Sequence, residues 1–322
     1  MALPSPRRIL VIRLSSLGDI ILTYPLISKL KRRYPGVIID FAVRKEYSEA
    51  VELNKNISCI LKYDGDLSGL RRDIKRSSYD VILDLQNNPK STYLRMFNAH
   101  VIRKLRKDHL KKFMLVNGGI NLYSEIVPVY FKYIQTAEGL VSENESGFEI
   151  SDLEESDTRI PESPYAVIAP SAKHFTKRYP AKKYCELIRE FRDTVPVLVG
   201  SGSLIDMEVC REIEACSGSA VNLCGRLSLK ELVFLLRRSE IVISNDSAVM
   251  HLAEAAGKRA AAIFGSTVRE FGFYPQLKES VVFEYKGLSC RPCSHIGLSE
   301  CPRLTFDCMN KLNISKEELH IN

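Results

Sequence analysis

The sequence predicts an α/β protein of two doubly wound domains facing a cleft. Three observations carry this. Short apolar runs alternate with segments of helical period, the pattern of a parallel sheet covered on both faces. The pattern occurs twice, in halves of similar size. Between them, residues 139–162 are mostly polar and acidic, with Ser142, Glu143, Asn144, Glu145 and Ser146 and then Asp152 to Asp157, which reads as a linker. Such folds bind ligands outside the carboxyl ends of their strands, so the chemistry is sought in the turns there.

In the first half, Arg8 to Leu14 reads as a buried strand and Ser15 to Asp19 as a polar turn containing Gly18. From Ile20, the apolar positions 20, 24, 27, 30 and 34 keep a helical period, and Pro25 should kink that helix or delay its regular part. Val37 to Val43 is a strand, Glu46 to Leu53 a short helix, and Tyr79 to Leu85 a strand ending in Gln86, Asn87 and Asn88. Ser124 to Ala137 fits a helix with positions 126, 127, 130, 131 and 134 on one face.

The second half repeats the scheme. Tyr165 to Ala169 is a strand, Ala181 to Phe191 a helix, and Val195 to Val199 a strand ending at Gly200-Ser201-Gly202-Ser203. Ser228 and Glu231 form a capping box that opens a helix to Arg238. The apolar run 240–243 leads into the turn Ser244 to Ser247. A short amphipathic segment, Leu252 to Ala256, then stops at Gly257, and the strand Ala260 to Phe264 ends at Gly265-Ser266-Thr267. No short-period repeat or low-complexity tract interrupts the chain.

Composition sets bounds on partners. With 322 residues, 45% hydrophobic and 26% charged, the chain is long enough for two full cores. A net charge of +7 suits acidic small molecules or an anionic membrane surface. It suits nucleic acid least, because no aromatic-plus-basic signature accompanies it. The apolar run from Ile9 to Leu14 contains Arg13 and is too short for a signal segment, and no run approaches the roughly 20 apolar residues of a membrane span. The expected location is the cytoplasm, peripheral to a membrane surface. Nine cysteines, an odd number in mostly apolar contexts, favour free thiols in a reducing compartment.

Several residues could carry chemistry. Asp19 follows the first strand and could take a proton from an attacking hydroxyl, although capping the next helix would also account for it. Ser15 and Ser16 could bind substrate or shape the turn. Lys177, after the turn at Pro170-Ser171-Ala172, could neutralise a diphosphate, and a solvated surface lysine is the plain alternative. Asp246 and Ser247 open a helix at a strand's carboxyl end, where free N–H groups and the helix dipole suit a phosphate; capping alone would explain them too. His251 could touch a ligand or sit in the core. Gly200-Ser201-Gly202 lacks the full dinucleotide pattern, which argues against a nicotinamide enzyme.

Two clusters stand apart. Cys290, Cys293, Cys301 and Cys308, with two, seven and six intervening residues, are a candidate ligand set for structural zinc or iron, beside the alternatives of packed free thiols or redox pairing. The run Arg103 to Lys112 is the densest in positive charge and would suit a phosphorylated acidic glycolipid, if it is not simply a solvated helix face.

Together these stretches resemble the ADP-heptose:lipopolysaccharide heptosyltransferases, glycosyltransferase family 9. The resemblance rests on Arg13 to Ile20 with Pro25, on Lys177-Arg178-Tyr179-Pro180, on Ser244 to His251, on Phe264-Gly265-Ser266-Thr267, and on Cys301-Pro302 with Asp307-Cys308-Met309. It implies a GT-B architecture of two Rossmann-like domains: an acceptor domain at 1–155, a nucleotide-sugar domain at 156–307, and a last segment, 308–322, packing back on the first. It implies an inverting transferase that needs no cofactor for catalysis. Asp19 would be the general base. Lys177, Ser171, Asp246, Ser247, Ala248 and His251 would bind the donor, and Ser15, Ser16 and Gly18 the acceptor. The implied reaction moves heptose from ADP-L-glycero-D-manno-heptose to the inner core of lipopolysaccharide, with a nucleotide-sugar donor and an acidic glycolipid acceptor at the inner membrane surface. Two positions depart from the family pattern: Ala248 stands where glycine is usual and Ser266 where proline is usual. A Cβ at 248 narrows the approach to the helix backbone. Another nucleotide sugar, a protein acceptor, a nucleotide-sugar epimerase or a non-catalytic binding protein are the rival readings.

Overall fold

A computed structural model describes residues 5–96, 99–142 and 153–321; the linker residues Glu143 to Asp152 lie outside the described set. In chain order the elements are β1 (Arg8–Ile12), α1 (Leu17–Ile21), α2 (Tyr24–Arg33), β2 (Ile38–Arg44), α3 (Ser48–Glu52), β3 (Cys59–Tyr63), α4 (Leu67–Arg76), β4 (Tyr79–Asp84), α5 (Pro89–Arg95), β5 (Ala99–Lys104), α6 (His109–Gly118) and α7 (Val129–Thr136). There follow β6 (Tyr165–Ala169), α8 (Ala181–Ile188), β7 (Val195–Leu198), α9 (Leu204–Ser217), β8 (Val221–Asn222), α10 (Leu229–Arg238), β9 (Ile241–Asn245), α11 (Ala248–Ala255), β10 (Ala260–Phe264), β11 (Val281–Glu284), α12 (Asp307–Asn310) and α13 (Lys316–Leu319).

The chain divides into two compact units, Met1–Lys107 with Val129–Glu154, and Asp108–Pro128 with Glu155–Asn322. Each contains one parallel sheet. The first has the order β3-β2-β1-β4-β5 and the second β11-β10-β9-β6-β7-β8. In the first sheet the chain runs outward from β1 and returns to lay β4 on its other side. In the second it runs outward from β6 and returns at β9. Each sheet thus has one switch point, between β1 and β4 and between β6 and β9, and the loops leaving those strands diverge to leave a crevice.

The central strands are what continuous apolar runs dictate. Ile9 to Ile12 in β1, Tyr165 to Ala169 in β6 and Ala260 to Phe264 in β10 are buried along their length, because helices cover both faces. Pro25 does not kink a single helix. It falls in the first turn of α2, where a missing N–H costs nothing, and the helical run breaks at residues 22–23. The predicted helix 124–137 forms only from Val129, directly after Pro128.

Three expectations are corrected. Residues 108–128 belong to the second unit, where Leu115 is buried, Lys112 lies over the Phe271 ring and Asn121 donates to Glu270 at 3.1 Å. The last segment packs into the second unit's own core, because Met309, Leu312, Ile314, Leu319 and Ile321 complete the apolar cluster beneath α8. The Tyr179 hydroxyl donates to the Leu312 carbonyl at 3.0 Å and fixes that path. Not all cysteines are free: Cys185 of α8 and Cys216 near the end of α9 are disulfide-bonded, with Cα atoms 6.0 Å apart, since these two helices pack together.

Candidate active site

In the first unit the loop after β1 carries a carboxylate held on every side. Ser16, not Asp19, is the cap residue of α1, and Asp19 sits in its first turn. One Asp19 oxygen pairs with Arg13 at 2.7 Å and accepts from the Tyr133 hydroxyl at 3.3 Å. The other accepts from the Ser16 hydroxyl at 2.6 Å and the Ser16 N–H at 3.3 Å. Arg13 is itself buried and donates to the Leu85 carbonyl at 2.6 Å, so it cannot swing away. Burial opposes the charge on Asp19, but Arg13 and Ser16 hold its carboxyl below the usual carboxylate range. Burial also pushes the Tyr133 hydroxyl far up, keeping it a donor. The Asp19 side chain is 17% exposed.

The loop after β4 completes this corner. Asp84, fully buried, accepts from the N–H groups of Gln86 and Asn87, the Ser91 hydroxyl and Arg95 Nε. That turn presents the Gln86 side-chain oxygen to the N–H groups of Leu14 and Ser15 at 2.9 and 3.2 Å. Gly18 lies in the first turn of α1.

In the second unit, the loops after β6 and β9 meet at the other switch point. Lys177 pairs with Asp246 at 2.7 Å, and the Thr267 hydroxyl donates to the same oxygen at 2.7 Å. Asn245, buried at the end of β9, accepts from the Tyr179 N–H and the Tyr184 hydroxyl and donates to the Pro170 carbonyl at 2.7 Å, locking the two loops together. Gly265 lets β10 pass beneath: a Cβ there would lie 2.9 Å from the Thr176 carbonyl oxygen. Ser247 caps α11 by position, but its side chain makes no capping bond and instead lies 3.0 Å from the Ser244 hydroxyl. Ala248 is the first helical residue. This N-terminus, with a lysine at its mouth, is an arrangement suited to an anion.

The remaining predicted residues are placed as follows. His251 is buried on α11, its ring 6.2 Å from that of Phe273. Ser171 sits in the loop after β6 and its hydroxyl donates to Asp206 at 2.6 Å; Asp206 also accepts from the Ser201 N–H and hydroxyl, joining the ends of β6 and β7. Among the described residues no group of three His, Cys, Asp or Glu side chains is placed to hold a metal ion, although Cys290, Cys293, Cys301 and Cys308 lie close enough to act on one another electrostatically. Cys308 lies in the apolar core, where burial pushes its thiol up to about 11, and burial also raises Cys293.

Sequence reading missed Arg13 and Tyr133 as site residues. A charged residue inside an apolar strand was the available signal for Arg13. Nothing local marked Tyr133, which lies 114 positions from its partner.

The chain is similar to known proteins. Lipopolysaccharide heptosyltransferase 2 of Salmonella typhimurium is 27% identical over 298 residues, covering 82% of this chain and 84% of that protein. The structure of E. coli ADP-heptose lipopolysaccharide heptosyltransferase II superposes with a TM-score of 0.71 at 24% identity, covering 94% of this chain and 98% of that one. The iron-containing dodecameric glycosyltransferase TibC of enterotoxigenic E. coli shares the fold, with a TM-score of 0.60 at 15% identity over 99% of this chain and 75% of its own. The fold is GT-B. The family model for glycosyltransferase family 9 (heptosyltransferase) matches residues 68–302, and the protein belongs to this family of glycosyltransferases.

Proposed function

We propose that the protein transfers heptose from ADP-L-glycero-D-manno-heptose to an inner-core sugar of a lipid A-linked acceptor, with inversion at the anomeric carbon. The acceptor hydroxyl oxygen bonds to C1 as the bond from C1 to the diphosphate oxygen breaks. Asp19 takes the hydroxyl proton and ADP departs. Lys177 and the first turn of α11 stabilise the charge gathering on the diphosphate. No step in this scheme requires a cofactor. The observation that carries the reading is Lys177 held by Asp246 at the open N-terminus of α11. A lysine held there by Asp246 still has N–H donors to offer a phosphate.

The basic run Arg103 to Lys112 supports an acidic acceptor and peripheral contact with an anionic membrane, since it contains the exposed Leu110 and is followed by the exposed Phe113, both in α6. No helix among the described residues is long and apolar enough to cross a membrane.

The test is a panel of nucleotide sugars. The expected result is thermal stabilisation by ADP-heptose, of about 2.7 kcal/mol at 100 times its dissociation constant, and a heptose mass increment on the lipid acceptor. A different sugar on the product would replace the donor. Conversion of donor without acceptor would make the protein an epimerase.

A further inference from the structure

The loop carrying Cys290 and Cys293 has a task apart from thiol chemistry. Between them, Arg291 is nearly buried, with a side chain 7% exposed. Its Nη2 donates to the Thr267 carbonyl at 2.7 Å and to the Glu284 carboxylate at 2.8 Å, and its Nη1 donates to the Tyr285 carbonyl at 3.0 Å. Glu284 also accepts from the Tyr274 hydroxyl at 2.6 Å. Burial raises Glu284, yet Tyr274 and Arg291 hold its carboxyl below the ordinary value, so the guanidinium keeps a charged partner.

Thr267 is the residue whose hydroxyl donates to Asp246, on the oxygen that pairs with Lys177. Its carbonyl is therefore clamped by a guanidinium while its hydroxyl points into the donor site. A planar fork can hold the carbonyl and the carboxylate together; a neutral side chain would leave a buried acceptor unmatched. We infer that Arg291 is a positioning residue for the donor site: it fixes Thr267, which orients Asp246, which sets the Lys177 ammonium. The inference rests on the proposed function only in taking the anion to be the donor's diphosphate.

The experiment titrates ADP and, in parallel, pyrophosphate into the unaltered protein, Arg291→Gln, Arg291→Lys, Asp246→Asn and the Arg291→Gln/Asp246→Asn double variant. Arg291→Gln should weaken ADP about tenfold, Arg291→Lys by less, and acceptor KM should not move. With Asp246→Asn already present, Arg291→Gln should add less than twofold, because the link is already cut. Wild-type affinity in Arg291→Gln, or a further tenfold loss when Arg291→Gln is added to Asp246→Asn, overturns the inference. If Arg291→Gln does not fold, Thr267→Val removes only the hydroxyl step and should weaken ADP in the same non-additive way; unchanged affinity there overturns it. Binding of pyrophosphate without ADP rejects the nucleotide-sugar reading while Arg291 is still judged on pyrophosphate. Binding of neither rejects both.

Discussion

Each unit has a carboxylate–cation pair at its switch point, the first after β1 and the second after β9, and the two pairs are anchored differently. Each has an aspartate after a central strand, paired to a cation at 2.7 Å beside a helix N-terminus. In the first, the cation is Arg13, buried in the strand extension and pinned to the Leu85 carbonyl. In the second, it is Lys177, in a loop, on a flexible stem. A fixed guanidinium serves its carboxylate permanently. A lysine on a longer stem keeps N–H donors beyond the one its carboxylate takes. A carboxylate–cation pair at a strand end is thus not one kind of site, because the anchoring of the cation sets which group is free to meet a ligand.

The largest effect is expected at Asp19. Asp19→Asn keeps the shape and removes the base, so turnover should fall by roughly 10²- to 10⁴-fold with ADP affinity unchanged. Near-normal turnover, or a parallel loss of ADP binding, would remove the division of labour between the units.

Arg13→Met comes next. It leaves a mostly buried carboxylate without its cation and should cost on the order of 3 kcal/mol of stability, read as a lowered denaturation midpoint. Because the folded value for Asp19 lies below its unfolded one, the pair's contribution is complete above about pH 4 and is lost as pH falls through the folded value. Denaturation of the unaltered protein followed across pH should show no loss from this pair between pH 8 and 5. Arg13→Met should raise the Asp19 value and move the acid limb of turnover upward; an unmoved limb would detach Arg13 from the base.

Lys177→Met should weaken ADP by roughly tenfold to a hundredfold, the scale of a charge-assisted hydrogen bond of about 1.5–3 kcal/mol. Calorimetry reads this directly, and Asp19 turnover chemistry should still be detectable at saturating donor. The smallest effect is expected at Ala248. Replacement by glycine opens the helix N-terminus to the phosphate and should tighten ADP by no more than a few-fold, offset by roughly 0.5–1 kcal/mol of lost helix stability. A weakened donor would mean the alanine methyl makes a favourable contact.

The elements legible in sequence were those with a uniform environment. The central strands β1, β2, β4, β6, β7, β9 and β10 appear as apolar runs because both faces are covered. The four edge strands, β3, β5, β8 and β11, do not: their partly exposed positions, such as Cys59, Arg103, Lys104 and Val221, break any run. Long α9 also escaped notice, since only Cys210 and Ile213 along it are buried.

The site divides in the same way. Asp19, Lys177, Asp246, Ala248 and the turn types that carry them stand in the sequence, because strand, turn and helix are local patterns and the motifs lie within them. Tertiary structure decided which atoms those residues meet. Arg13 and Tyr133 converge on Asp19 from a strand and a distant helix, and Thr267 and Arg291 reach Asp246 across 21 residues and through a backbone carbonyl. Local periodicity specifies elements; the partners of a buried charge depend on which distant side chains packing delivers to it, and no spacing along the chain encodes that.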